Sequence, residues 1–231
     1  MKRLLVAAML LAMLDSVNAQ RTFVQFGIQA GVQFVNLYGN PYIESFLQRD
    51  LRPVGGPAVL YPINRHWALR SNLFYDARGA EGLFPLFEDD GSPKGFYTTE
   101  VNMTSLSVPL LLEYQFGGRL RGHLTAGIYG TALLSYKASF SKPNGTEKIT
   151  QRGTSYFQPL EGGAVLGYGI RYIVNRRITI GLENRFDIGL SNIVSRPVLG
   201  SLTIYHLTAP VLLGVYYTPG YAAGKVRNSA L

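Results

Sequence analysis

The run Leu106-Ser107-Val108-Pro109-Leu110-Leu111-Leu112-Glu113-Tyr114-Gln115-Phe116 puts Leu106, Val108, Leu110, Leu112, Tyr114 and Phe116 on one parity, and Ser107, Pro109, Leu111, Glu113 and Gln115 on the other. Side chains alternate across a strand, so one face here is wholly apolar while the other is mostly polar. The pattern returns between Ile178 and Leu190. Ile178, Ile180, Leu182, Phe186, Ile188 and Leu190 share a face interrupted only by Asn184, opposite Arg177, Thr179, Glu183, Arg185, Asp187 and Ser191. Alternation by itself leaves open which face is inside, because a soluble sandwich and a membrane barrel both produce it.

The N-terminal residues bear on that choice. Lys2 and Arg3 precede an apolar run from Leu4 to Leu14, and Val17, Asn18 and Ala19 form a small-residue cleavage site before Gln20. This is the pattern of an export signal over residues 1–19, with an apolar run too short to span a bilayer. The sequence has no Cys, which excludes a lipoprotein anchor, a disulfide framework and thiolate chemistry. Loss of Lys2, Arg3 and Asp15 with the signal leaves 20 basic and 13 acidic residues, a formal charge of +7. For an exported chain that surplus does not point to nucleic acid. No stretch of the mature sequence has the length and apolarity of a spanning helix.

Eight strands are predicted, at about 24–37, 52–62, 65–79, 100–117, 119–137, 156–174, 177–191 and 201–218. Asn64, the Gly117-Gly118 pair and Asn175 mark tight turns, and longer polar or Gly/Pro-rich segments fall at 38–51, 80–99, 138–155 and 192–200. Short and long connections therefore alternate. That is the wiring of an outer-membrane barrel with periplasmic turns and extracellular loops. The expected architecture is all-β: an eight-stranded antiparallel up-and-down transmembrane barrel over residues 20–218, followed by a tail at 219–231.

With the apolar parity outward, Gln25, Gln29 and Gln33 point inward from strand one. Arg70, Asn72, Asp76 and Arg78 do so from strand three, and Arg121, His123, Thr125, Thr131, Ser135 and Lys137 from strand five. The expected interior is a charge-paired network of Arg70, Asp76, Glu113, Arg121, Glu161, Arg171, Glu183, Arg185 and Asp187, since charges are seldom buried without partners. On the outward face Trp67, Tyr114, Phe116, Tyr172 and Tyr217 gather at the short-turn rim, and Phe34, Tyr75, Tyr136, Tyr156 and Tyr205 at the long-loop rim. Two aromatic girdles are what the two interfaces of a bilayer select.

Four segments carry a family resemblance: Phe26-Gly27-Ile28-Gln29-Ala30-Gly31-Val32, the Leu106 to Tyr114 strand with its mid-strand Pro109, the glycine-rich Gly163 to Tyr172 strand, and Ile188-Gly189-Leu190-Ser191-Asn192-Ile193. Together they resemble the PorT-like outer-membrane β-barrel family of the Bacteroidota. The resemblance implies an eight-stranded barrel and, for a minority of the family, an association with gliding motility and type IX secretion. The tail after Tyr217 departs from barrels that end on a terminal aromatic.

An eight-stranded bore is just wide enough to be filled by side chains. The expected role is therefore non-enzymatic, in binding or envelope organisation through the extracellular loops. No cofactor and no resident metal are expected. Expected partners are outer-membrane lipid and lipopolysaccharide, with envelope or secretion-system proteins as further candidates. Loop 80–99 is the leading binding candidate because Phe84, Phe87, Phe96 and Tyr97 have no strand face in which to be buried. Its Asp89-Asp90-Gly91-Ser92 turn offers hard-ion ligands without the full calcium-loop pattern. Lys142, Lys148 and Arg152 in loop 138–155 suit lipopolysaccharide phosphates or a solvated hairpin. In loop 38–51, Asn40-Pro41 followed by Tyr42, Ile43, Phe46 and Leu47 reads as a short helix or irregular loop. The alternative chemistry is a lipid-modifying site at His206 near the outer rim, with Ser201 or Thr203 close in sequence and Asp187 the nearest inward carboxylate.

Overall fold

The structure, a computed structural model, describes residues 23–39, 47–48, 50–87, 92–141, 148–152, 157–195 and 203–219. The export signal, the tail beyond Pro219, the helix candidate at 40–46, the Asp89-Asp90 turn, Lys142, Tyr156 and Ser201 lie outside the described residues.

The strands are β1 (Gln25–Tyr38), β2 (Leu47–Gln48), β3 (Asp50–Pro62), β4 (Trp67–Asn72), β5 (Phe74–Phe87), β6 (Pro93–Gly117), β7 (Leu120–Ser141), β8 (Lys148–Arg152), β9 (Leu160–Ile173), β10 (Ile178–Gly189) and β11 (Tyr205–Tyr217). β4 and β5 are one stave interrupted at Leu73, while β2 and β8 are short pieces pairing with β5 and β7 outside the ring. The remaining staves run β1, β3, β4/β5, β6, β7, β9, β10 and β11. Antiparallel pairing of β1 with β11, from Phe26 opposite Tyr217 to Tyr38 opposite Tyr205, closes the sheet into an eight-stave barrel. Closure leaves no unpaired edge in the hydrocarbon layer, where backbone groups find no water.

The apolar parity faces outward. Ile28, Ile128, Leu166 and Val215 are at least half exposed, while Gln29, Gln33, Arg70, Glu113 and Glu183 are buried. In a water-soluble protein this inside-out distribution would be unstable, and in a bilayer the exposed apolar band is solvated by lipid.

The two tight turns that begin with Asn share one construction. Asn64 Oδ1 accepts from His66 N at 2.9 Å and Trp67 N at 2.8 Å, and Asn175 Oδ1 accepts from Arg177 N at 2.8 Å and Ile178 N at 2.9 Å. An Asn side chain held back on its own turn replaces ladder bonds that end there. The β6–β7 turn relies instead on Gly117, whose φ of 100° lies in the left-handed region that side-chain-bearing residues avoid.

Several elements differ from the sequence expectation. Segment 80–99 is a paired hairpin rather than a loop: β5 and β6 remain in register through Phe84 opposite Tyr97 and Leu86 opposite Gly95. Leu47 belongs to a strand pairing with Gly82 and not to a helix. The outward parity of β7 also slips. Thr104 pairs with Ser135 but Ser105 with Leu133, so a bulge inserts an extra residue and reverses the faces beyond it. Lys137 is consequently exposed rather than interior, and Tyr136 packs its ring at a tilt against Phe157, centroids 4.6 Å apart, instead of joining the outer girdle.

Prolines break two ladders at one height. The β3 register brings Pro57 opposite Leu73, and the β6 register brings Pro109 opposite Asn72, neither proline having an N–H to donate. Leu73 N still bonds Pro57 O at 3.0 Å, and Ser71 Oγ bonds Pro109 O at 2.9 Å. Gly56 fits beside this break because a Cβ there would stand 1.9 Å from Leu73 O.

Outer-membrane barrels keep short turns in the periplasm and long connections outside. Cysteine placed at Phe96, which is 56% exposed on the β5–β6 hairpin, is expected to react with an impermeant maleimide on intact cells, whereas Gly118→Cys is not. Labelling of the second variant alone would invert the orientation.

Candidate functional site

The inward side chains form two polar storeys separated by an apolar belt. In the storey nearer the short turns, the two guanidinium nitrogens of Arg70 face both oxygens of Glu183, with Nη1 2.5 Å from Oε2. Arg70 Nη1 also lies 3.6 Å from Glu113 Oε2. Glu113 accepts in turn from both nitrogens of Arg171, Nη2 at 2.7 Å, and Arg171 stacks over the Tyr216 ring at 4.8 Å. Gln29 and Asn72 extend the chain, Gln29 Nε2 donating to Glu183 Oε2 at 3.0 Å and Asn72 Nδ2 donating to Gln29 Oε1 at 2.7 Å.

Above this storey, Val54, Phe74 and Leu212 pack together, as do Leu111, Tyr129 and Val165. Arg185 lies 5.1 Å over the Phe74 ring and pairs with Asp187 at 2.7 Å.

The outer storey is built around Arg78, which pairs with Asp76 at 2.7 Å and Glu161 at 2.9 Å. Asp76 also accepts from Gln33 and, at 2.8 Å, from Ser107 Oγ, which meets Thr131 Oγ1 at 2.9 Å. Glu161 accepts from Tyr129 Oη at 2.7 Å and stands 2.8 Å from His206 Nδ1. Each storey alternates guanidinium and carboxylate so that most charges meet more than one partner, the condition under which burial of charge is tolerated.

Eight of the nine charged residues expected inside thus meet buried partners: Arg70, Glu113, Arg171 and Glu183 below, Asp76 and Glu161 above, Arg185 with Asp187 between. Arg121 stands apart. It sits at the β6–β7 turn, donating to Gly118 O at 3.1 Å and Gln115 Oε1 at 3.4 Å, because it begins its strand at the rim where water reaches it. His206 is buried, and its carboxylate partner is Glu161 rather than Asp187, which Arg185 already engages. Thr203 is exposed. Tyr129 and Tyr216 join the interior in addition to the residues expected there. Tyr129 shares its parity with Thr125 and Thr131, a signal that assigns it inward.

Above His206 the barrel is capped. Ile193 and Ile204 are buried, Ile193 N bonds Ile204 O at 3.0 Å, and Gln158 N bonds Ile193 O at 2.8 Å. The partly open pocket beneath, with Ser105, Thr131, Leu133, Phe157, Ile193 and His206 among its lining, measures about 20 Å³, about the space of one water. A His beside a carboxylate and hydroxyls has the components of acid–base chemistry, but this space admits no acyl chain. Of the four loop aromatics, Phe96 is exposed on the hairpin, and the backbones of Phe84, Phe87 and Tyr97 are paired within it.

Comparison with known proteins agrees with this architecture. The model of the family described as outer membrane protein beta-barrel domain matches residues 18–195. The chain belongs to that family, and the protein resides in the outer membrane. It is similar to solved structures of Ail, the attachment invasion locus protein of Yersinia pestis, at 11% identity, covering 84% of this chain and 98% of that one with a TM-score of 0.40. Neisserial surface protein A is similar at 14% identity, covering 84% and 96%, with a TM-score of 0.45. The outer membrane protease OmpT of Escherichia coli is similar at 12% identity, covering 88% and 100%, with a TM-score of 0.47. No curated protein matches the chain.

Proposed function

We propose that this outer-membrane barrel is a non-enzymatic, side-chain-filled anchor that presents its β5–β6 hairpin to a partner at the cell surface. The observation that carries this reading is the hairpin itself. β5 and β6 stay paired out to Phe87 and Pro93, well past the end of β9 at Leu160 and of β10 at Gly189, and Phe96 remains exposed on it. A paired ribbon holds its exposed side chains in fixed positions, which lowers the ordering cost of recognition. The paired charges of the interior support a filled bore, and the cap over His206 argues against lipid access to that residue. Residues 1–19 act in this reading as the export signal.

Replacing residues 84–97 by a short Gly-Ser turn is expected to leave the barrel folded in the outer membrane and to remove the partner recovered with the intact protein from native membranes. Recovery of the same partner with the shortened chain would refute the hairpin's role. Membership of the PorT-like branch, and with it an accessory role in type IX secretion, rests on the four sequence segments that resemble that family. Secretion-system components among the recovered proteins would support it.

A further inference from the structure

We propose that the periplasmic mouth of the barrel is a binding site for the multi-carboxylate stem peptides of the cell wall. The inference goes beyond the surface-hairpin reading and rests only on the outer-membrane location and the orientation of the turns.

The three short turns each deliver arginine to this mouth. Arg65 and Arg176 occupy the same position of the two Asn-anchored turns, directly after Asn64 and Asn175. The β6–β7 turn adds Arg119, held by bonds to Ile173 O and Val174 O at 3.1 Å, and Arg121 beside it. Among the described residues Arg65 and Arg176 have no carboxylate partner. The described carboxylates lie elsewhere: Asp76, Glu113, Glu161, Glu183 and Asp187 are buried inside, and Asp50, Glu81 and Glu100 stand towards the long-connection end.

The mouth is also concave. An open recess of about 700 Å³ lies between the three turns, adjoining a second of about 310 Å³, with Arg65, Arg121 and Arg176 lining both. The larger has the size of a small-ligand site. Its wall is mixed, guanidinium groups standing beside Ile173 and Val174. Guanidinium forks pair with carboxylates in bidentate fashion, and clustered positive charge in a concave site attracts anions from a distance. The apolar wall favours a ligand with alkyl surface between its charges over a bare inorganic anion. A stem peptide, with alanine methyls, a diaminopimelate chain and several carboxylates, has that chemistry, and the cell wall lies on the side this mouth faces.

The test uses the full mature chain in detergent micelles and the stem tetrapeptide L-Ala–γ-D-Glu–meso-diaminopimelate–D-Ala as probe, measured by calorimetry. Saturable binding is expected, weakening at least tenfold in Arg65→Glu/Arg176→Glu and substantially less in Arg65→Lys/Arg176→Lys. Heat-modifiable gel migration shows that both variants remain folded. Absence of saturable binding, or equal binding by the charge-reversed variant, would overturn the proposal. So would triglutamate or pyrophosphate binding as tightly as the stem peptide, since the site would then be for acidic protein segments or for anions in general. An inverted cysteine-labelling pattern would refute the orientation separately from the binding.

Discussion

Glu183→Ala is expected to destabilise the barrel by about 3–5 kcal/mol, the usual cost of leaving one member of a buried ion pair without its partner. Arg70 is fully buried, and Glu183 is its bidentate partner. Glu113 at 3.6 Å cannot replace it, because Arg171 already occupies both its oxygens. Gln29 would lose an acceptor at the same time. Urea unfolding from lipid vesicles, followed by gel mobility without boiling, measures the change. The double variant Arg70→Leu/Glu183→Leu should lose less than Glu183→Ala, since it removes both charges and restores apolar volume. Stability of Glu183→Ala equal to that of the unmodified chain would show that water reaches Arg70 in the bilayer.

Ile128→Arg tests the opposite surface. Ile128 is 64% exposed, lies midway along β7, and pairs with Leu110, itself outward on β6. At this depth an arginine facing lipid costs about 2–4 kcal/mol, whereas near the interface the cost falls to about 0–1 kcal/mol. Leu160, 70% exposed at the outer end of β9, supplies the comparison. Leu160→Arg should therefore unfold close to the unmodified chain, and Ile128→Arg well before it. Equal and negligible costs at the two positions would mean that neither faces hydrocarbon.

Much of this arrangement was legible because the period of a strand is two and each stave divides cleanly into a lipid parity and an interior parity. Glu113, Glu183 and Arg70 could be assigned inward from their neighbours alone. What failed was local. A bulge is a single extra residue, invisible to a parity rule, and it moved Lys137 out and Tyr136 in. Hairpin length was also hidden, because Gly82, Pro85 and Gly95 read as loop residues although they pair across β5 and β6. Within the candidate site, parity names the inward residues but not their heights. Heights follow from the stagger between staves, which is why Glu161 could not be recognised as the neighbour of His206, nor Arg121 separated from the buried pairs.

The interrupted stave has a mechanical meaning. Pro57 and Pro109 withhold donors from opposite sides at the level of Leu73 and Asn72, so β4 and β5 are joined where lateral bonding is thinnest. Below the joint, Arg70 ties β4 into the lower ion pairs; above it, Asp76 and Arg78 tie β5 to β9, and the long ribbon with β6 projects outward. A load on β5 would bend this joint first, while β6, unbroken past the same level to Glu113, would carry its share into the lower storey. The ribbon is thus sprung on one leg and braced on the other, so that a tug from outside reaches the lower ion pairs through a single strand.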